Sequence, residues 1–137
     1  MSMYRAVYWL FWLAAGLAAE EVHCPPTVSV RQVATDIPAG WNVSTSAAPV
    51  QLAGVTFFDG RPEEEASLVY DRRTPSRTGT LAVWTFQPNS HIWLACNYAG
   101  TSVVLSKPLP PVKRCTVLYK NDVTVAGLPL IDHIYCR

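Results

Sequence analysis

Four cysteines, Cys24, Cys96, Cys115 and Cys136, constrain this chain more than any other feature, because of the segment that precedes them. The N-terminus reads MSMYRAVYWLFWLAAGLAAEEVHC: Arg5 closes a short basic start, an uninterrupted apolar run covers Ala6 to Ala19, and Glu20 and Glu21 follow. That is the pattern of a secretory signal cleaved after Ala18 or Ala19. The apolar run has 14 residues, whereas a bilayer span takes about 20, so residues 1–19 are read as a signal and not as a transmembrane helix. All four cysteines then enter an oxidising compartment, periplasmic or secreted, where an even count in a small chain predicts two disulfides.

Three pairings are possible. The expected one joins Cys24 to Cys136 and Cys96 to Cys115. Its first bond would close a loop of about 112 residues, contribute roughly 4 to 5 kcal/mol through the unfolded-state entropy and tie both ends of the domain together. The competing idea is a metal site of His23, Cys24, His133 and Cys136. Adjacent His and Cys is not a usual zinc-ligand spacing, so disulfides are preferred.

Residues 20–137 are long enough for one domain with one core and too short for two. The clearest periodicity lies in IWLACNY (92–98) and TSVVLSK (101–107), which flank Ala99-Gly100. Read as a hairpin with a two-residue turn, this places Tyr98 opposite Thr101, Cys96 opposite Val103 and Leu94 opposite Leu105 on one apolar face. A disulfide needs Cα atoms within about 7 Å, so Cys96 can reach Cys115 only if residues 108–112 carry the chain past a simple meander. TVSVRQV (27–33), VQLAGVTFF (50–58), TLAVWTFQ (80–87), RCTVLY (114–119) and LIDHIYC (130–136) read as further strands bounded by Gly, Pro and Asp. RPEEEASLVYDRR begins with Pro62 and three glutamates, which predicts one or two helical turns leading into a short strand. The fold class is therefore all-β or β-rich α+β: an antiparallel sandwich or strongly bent sheet with at most one short helix, stapled by disulfides.

Composition excludes some partners. Loss of Arg5 with the signal leaves ten basic and ten acidic side chains, so there is no global field to attract nucleic acid or an anionic membrane. No G-x-S-x-G, phosphate-cradling glycine loop or H-E-x-x-H occurs. His23, His91 and His133 lack metal spacing, and Glu63, Glu64 and Glu65 are consecutive and point apart. No catalytic, cofactor-binding or metal residue is assigned. The binding candidate is the segment SKPLPPVKR, where Lys107, Lys113 and Arg114 surround Pro110 and Pro111. Proline-stiffened backbone loses little entropy on docking into an acidic cleft. The plainer account is that Lys and Pro shield a sheet edge from pairing with other chains. Trp41, Trp84 and Trp93 are expected in the core, Trp93 on the more polar face of the hairpin.

CPPTVSV, GW at 40–41, LAGVTFFDG, ASLVYD, WTF, WLACNYAGTSVVLSKPLP, Cys115, GLP at 127–129 and the final IYC together resemble a family of short exported proteins of Gram-negative bacteria with four cysteines and no assigned function. Cys96 to Thr101 is the most specific part. The resemblance implies a periplasmic, disulfide-stabilised domain and brings no catalytic residues with it.

The expected function is a non-enzymatic binding module, an inhibitor or immunity-type protein whose partner is an envelope protein and whose contact is the loop from Lys107 to Arg114. The alternatives are a small envelope enzyme, which would need a pocket gathering Asp59, His91 and Tyr98, and a structural accessory domain with no ligand.

Overall fold

A computed structural model describes residues 19–137, so the expected signal segment lies outside the described residues except for Ala19. Ten strands run in the order β1 (Glu20–Glu21), β2 (Thr27–Val30), β3 (Ala48–Asp59), β4 (Ser67–Leu68), β5 (Arg72–Pro75), β6 (Gly79–Thr85), β7 (Ile92–Tyr98), β8 (Val104–Pro108), β9 (Arg114–Val125) and β10 (Leu128–Cys136). They form two antiparallel sheets, β1-β10-β9-β6-β5 and β2-β3-β7-β8, with β4 on the side of β3 that also carries β2. The chain changes sheet repeatedly, so the sheets curl over one shared core. A single 3-10 turn, Pro62–Glu64, precedes β4 and takes the place of the expected helical turns.

Period-two alternation selects the inward faces. Ile92, Leu94, Cys96 and Tyr98 of β7 and Cys115 and Val117 of β9 are buried, and Phe57, Trp84, Phe86 and Ile134 complete the cluster between the sheets. The Phe57 ring lies 4.9 Å from Trp84 and 5.8 Å from Phe86. Two β-bulges correct the alternation where the sequence breaks it. Leu52 and Val55 are three residues apart yet both pack inward, because the register against β7 slips between Leu52 and Gly54. Ile131 and Ile134 pose the same problem, and a slip between Ile131 and His133 solves it. Gly79 is required by close approach: a Cβ there would sit 1.6 Å from the Tyr119 carbonyl oxygen.

The disulfides are Cys24–Cys96 and Cys115–Cys136, so the expected pairing is corrected in both members. Residues 108–112 do carry the chain onto the facing sheet, as a Cys96–Cys115 bond required, but a nearer partner is available there. Arg114 and Arg137 exchange both backbone hydrogen bonds, at 3.0 and 2.9 Å. The next pair, Cys115 opposite Cys136, is therefore a non-hydrogen-bonded site, where antiparallel Cα atoms come closest. Their Cα atoms are 4.1 Å apart. The two ends of the described chain do meet, but through strand pairing of Glu20 with Cys136. Cys24 lies where the chain passes from β1 in one sheet to β2 in the other, and its bond to Cys96 pins that crossing.

The β7–β8 hairpin is also corrected. Asn97 faces Val104 and Cys96 faces Leu105, two residues out from the expected register. A two-residue type I′ turn needs positive φ at both positions. Gly100 has φ 75° but Ala99 does not, and the Ala99 N–H is bound by the Gln51 carbonyl at 2.9 Å. A slip of two preserves the faces, so the inward side chains are those expected. Of the three tryptophans, Trp84 is core, Trp93 is half-buried beneath the Arg61 guanidinium, and Trp41 is 74% exposed, against the core assignment.

Candidate functional site

Segment 107–114 begins on the edge strand β8, all of whose residues are exposed. The Leu109 N–H donates to the Ile92 carbonyl at 2.8 Å, so by antiparallel alternation Leu105 and Lys107 bond toward β7 while Val104, Ser106 and Pro108 direct their backbone outward. Pro108 thus falls where an N–H would otherwise face solvent. For Lys107 and Pro108 the edge-shielding account holds.

Beyond Pro108 the segment is held on several sides. Leu109 and Val112 pack against the core, leaving Pro110, Pro111 and Lys113 exposed between and beyond them. The Lys113 N–H donates to the Arg137 carbonyl at 2.7 Å, and the Lys113 carbonyl accepts from Phe86 at 2.9 Å. Arg114, half-buried, faces Thr85 on one side and Arg137 on the other. The segment is therefore a wall, not a free-standing finger. With Thr85 to His91 it encloses a cleft of about 790 Å³ lined by Phe86, Pro88, His91, Pro111, Val112 and Lys113.

Among the described residues Lys107, Lys113 and Arg114 form no salt bridge, whereas Lys120 meets Asp132 at 3.6 Å and Glu21 accepts from His133 at 2.6 Å. Arg114 and Arg137 stand directly opposite one another, and Asp71, which accepts from the Thr85 N–H, lines a shallow hollow with Arg114.

The other candidates are dispersed. Asp59 and His91 adjoin, but through the His91 backbone N–H donating to Oδ1 at 3.2 Å. Tyr98 lies at the opposite end of β7, and its hydroxyl donates to the Pro25 carbonyl at 2.9 Å. Burial raises the Tyr98 pKa, so the phenol stays protonated. Cys24 and Cys136 are both consumed by disulfides, which removes the metal alternative built on them. His133 instead joins Glu21, whose hydrogen bond raises its pKa, and stacks on Tyr135 with ring centroids 5.5 Å apart. Nothing in the sequence marks the cleft wall from Phe86 to His91 as a binding surface, and only its apposition to Pro111 gives it a role.

The family is decided by a model described as Type VI secretion system Tli immunity protein, which matches residues 46–137. The chain belongs to that family. The match covers β3 through β10, so both walls of the cleft and the basic segment fall within it. Neither curated proteins nor solved structures offer a match. Membership corrects the resemblance drawn from sequence in one respect: the family has an assigned role, immunity, which is exercised by binding a partner effector protein.

Proposed function

We propose that the protein is a periplasmic immunity protein that binds and neutralises a type VI effector, and that the basic, proline-rich wall from Lys107 to Arg114 is part of the contact. Family membership over residues 46–137 carries the reading. The periplasmic assignment is supported by the apolar N-terminal run and by two disulfides, bonds that persist in oxidising compartments. The contact is supported by cations that form no salt bridge among the described residues, Lys107 and Lys113 exposed and Arg114 half-buried, on a backbone already fixed in place, which lowers the ordering cost of association.

The test is co-expression, in the periplasm of a susceptible cell, of each type VI effector of the source bacterium with the wild-type chain or with a K107A/K113A/R114A variant. One effector should be neutralised by the wild type and less well by the variant, whose thermal stability should be unchanged. Equal protection by both would remove the basic wall from the interface. Protection against none would overturn the immunity reading itself.

A further inference from the structure

Between β2 and β3 lie residues 31–47, without strand or helix and exposed at every position. Seventeen such residues are unusual in a compact domain, where unstructured loops of more than about 12 to 15 residues are generally functional. This one carries four exposed apolar side chains: Trp41 at 74%, Val33 at 70%, Ile37 at 50% and Val43 at 44%. A scattered exposed apolar residue needs no explanation, but four on one loop mark an interaction surface. Between Gln32 and Thr45 the only charged residue is Asp36.

The loop is not slack. At its base the Thr45 hydroxyl donates to the Gln32 carbonyl at 2.6 Å, and the Arg31 guanidinium donates to the Thr45 carbonyl at 3.3 Å. Gln32 Nε2 reaches the Gly100 carbonyl at 3.2 Å and fastens the base to the β7–β8 turn. At its tip the Trp41 N–H donates to the Pro38 carbonyl at 3.2 Å, and Gly40 has φ 86°. That is a β-turn with glycine at the left-handed position, and Trp41 closes it. Closed at the base and turned at the tip, the segment presents one exposed tryptophan. Trp is enriched among interface hot spots, and a preformed anchor loses little entropy on docking.

We infer that the 31–47 loop is a second contact between this protein and its partner, with Trp41 inserting into an apolar pocket on the effector. The inference rests on the immunity reading above. The near absence of charge selects an apolar pocket over an acidic groove. The family match begins at residue 46, so the case for this loop rests on its own geometry and exposure.

The loop and the basic wall lie at opposite ends of one sheet. Gln32 touches Gly100 just past Tyr98, and Leu109 bonds Ile92, the other terminus of β7. Six residue steps at about 3.3 Å put these ends roughly 20 Å apart. A typical interface of about 800 Å² per partner is roughly 28 Å across, longer than this separation of the two attachment points.

The test places a photo-crosslinking amino acid at position 41 and, separately, at position 113 of the full chain, exported to the periplasm of the source bacterium, with adducts identified by mass spectrometry. A type VI effector is expected at both positions. Effector adducts at 113 alone would overturn the loop inference and leave the immunity reading intact. Effector adducts at 41 alone would keep the loop and remove the basic wall. A self-adduct at 41 would make the loop a contact between two copies and overturn the inference; no adduct at either site would overturn both readings. With the crosslinked effector in hand, W41A should weaken binding at least about 30-fold, the range of a hot-spot residue, without altering the thermal melt. An effect under about 3-fold would sink the anchor role.

Discussion

The disulfide pairing makes a prediction whose magnitude follows from loop length. Cys24–Cys96 closes 72 residues and Cys115–Cys136 only 21. In the chain-entropy account the first should stabilise the fold by about 4 kcal/mol and the second by about 3 kcal/mol. With a urea m-value of about 1.5 to 2 kcal/mol/M, C24A/C96A should lower the denaturation midpoint by about 2 to 3 M, and C115A/C136A by about 1.5 to 2 M. The connectivity itself is read from a non-reduced tryptic digest. Trypsin does not cut Lys107–Pro108, so Cys96 lies on peptide 78–113, Cys115 on 115–120 and Cys136 on 121–137. Peptide 115–120 should be linked to 121–137, and 78–113 to the peptide ending at Arg31 that contains Cys24. A link between 115–120 and 78–113 would overturn the pairing. A larger loss from C115A/C136A than from C24A/C96A would show that loop closure does not govern the stabilisation.

Phe57 is fully buried between Trp84 and Phe86, so Phe57→Ala should cost about 3 to 5 kcal/mol in urea titration; a loss under about 1 kcal/mol would contradict the packing of the two sheets there. Gly79→Ala sets a methyl against the Tyr119 carbonyl, a backbone atom that cannot swing aside, and should cost about 2 to 3 kcal/mol in the same assay. His133 should titrate, by NMR, above the ordinary value of about 6.5, because the Glu21 carboxylate at 2.6 Å favours the imidazolium. A raised folded-state pKa means that this pair stabilises the fold fully below the unfolded value and loses its effect as pH rises through the folded one. Glu21→Gln should bring the midpoint down, and an unchanged midpoint in that variant would remove Glu21 as the cause.

The strands are legible wherever one face is buried and the other wet. IWLACNY is a strand from its first residue to its last, and the observed strands APVQLAGVTFFD, GTLAVWT and LPLIDHIYC sit close to their expected bounds. What the sequence conceals are the turns. Ala-Gly joins neighbouring strands of a hairpin at 99–100 and again at 126–127, and the two dipeptides behave differently. Ala126 and Gly127 take φ 50° and 78°, and make the two-residue turn between Val125 and Leu128. Ala99 spends its N–H on Gln51 of β3 instead, so that hairpin opens. Tertiary hydrogen bonding chooses between two identical local signals. The disulfides are hidden for a related reason: the Cys115–Cys136 bond depends on which residue pairs of a hairpin are hydrogen-bonded, a phase that alternation alone does not reveal. Of the candidate surface, the basic residues are visible as charge around prolines, but the cleft is not, since its second wall comes from a different connection. Trp41 reads as a core residue because aromatic residues usually are, and only the closed base and turned tip of its loop show that it is held outside.

The boundary of the family match also runs through the tertiary ties of the N-terminal segment. β1, Cys24 and β2 all precede residue 46, yet each is fastened to a matched element: β1 to β10, Cys24 to Cys96 of β7, and β2 to β3. A segment outside the family's description is thus anchored at three points to the part inside it, and the 31–47 loop emerges from the last of these anchors. Sequence change in the loop need not disturb the core, because none of its apolar side chains belongs to the buried cluster. Sequence change in the cleft is more constrained, because Phe86 belongs to that cluster and Val112 packs against it. A surface built on the core and a loop tethered to it therefore differ in how freely their sequences can change without cost to the fold.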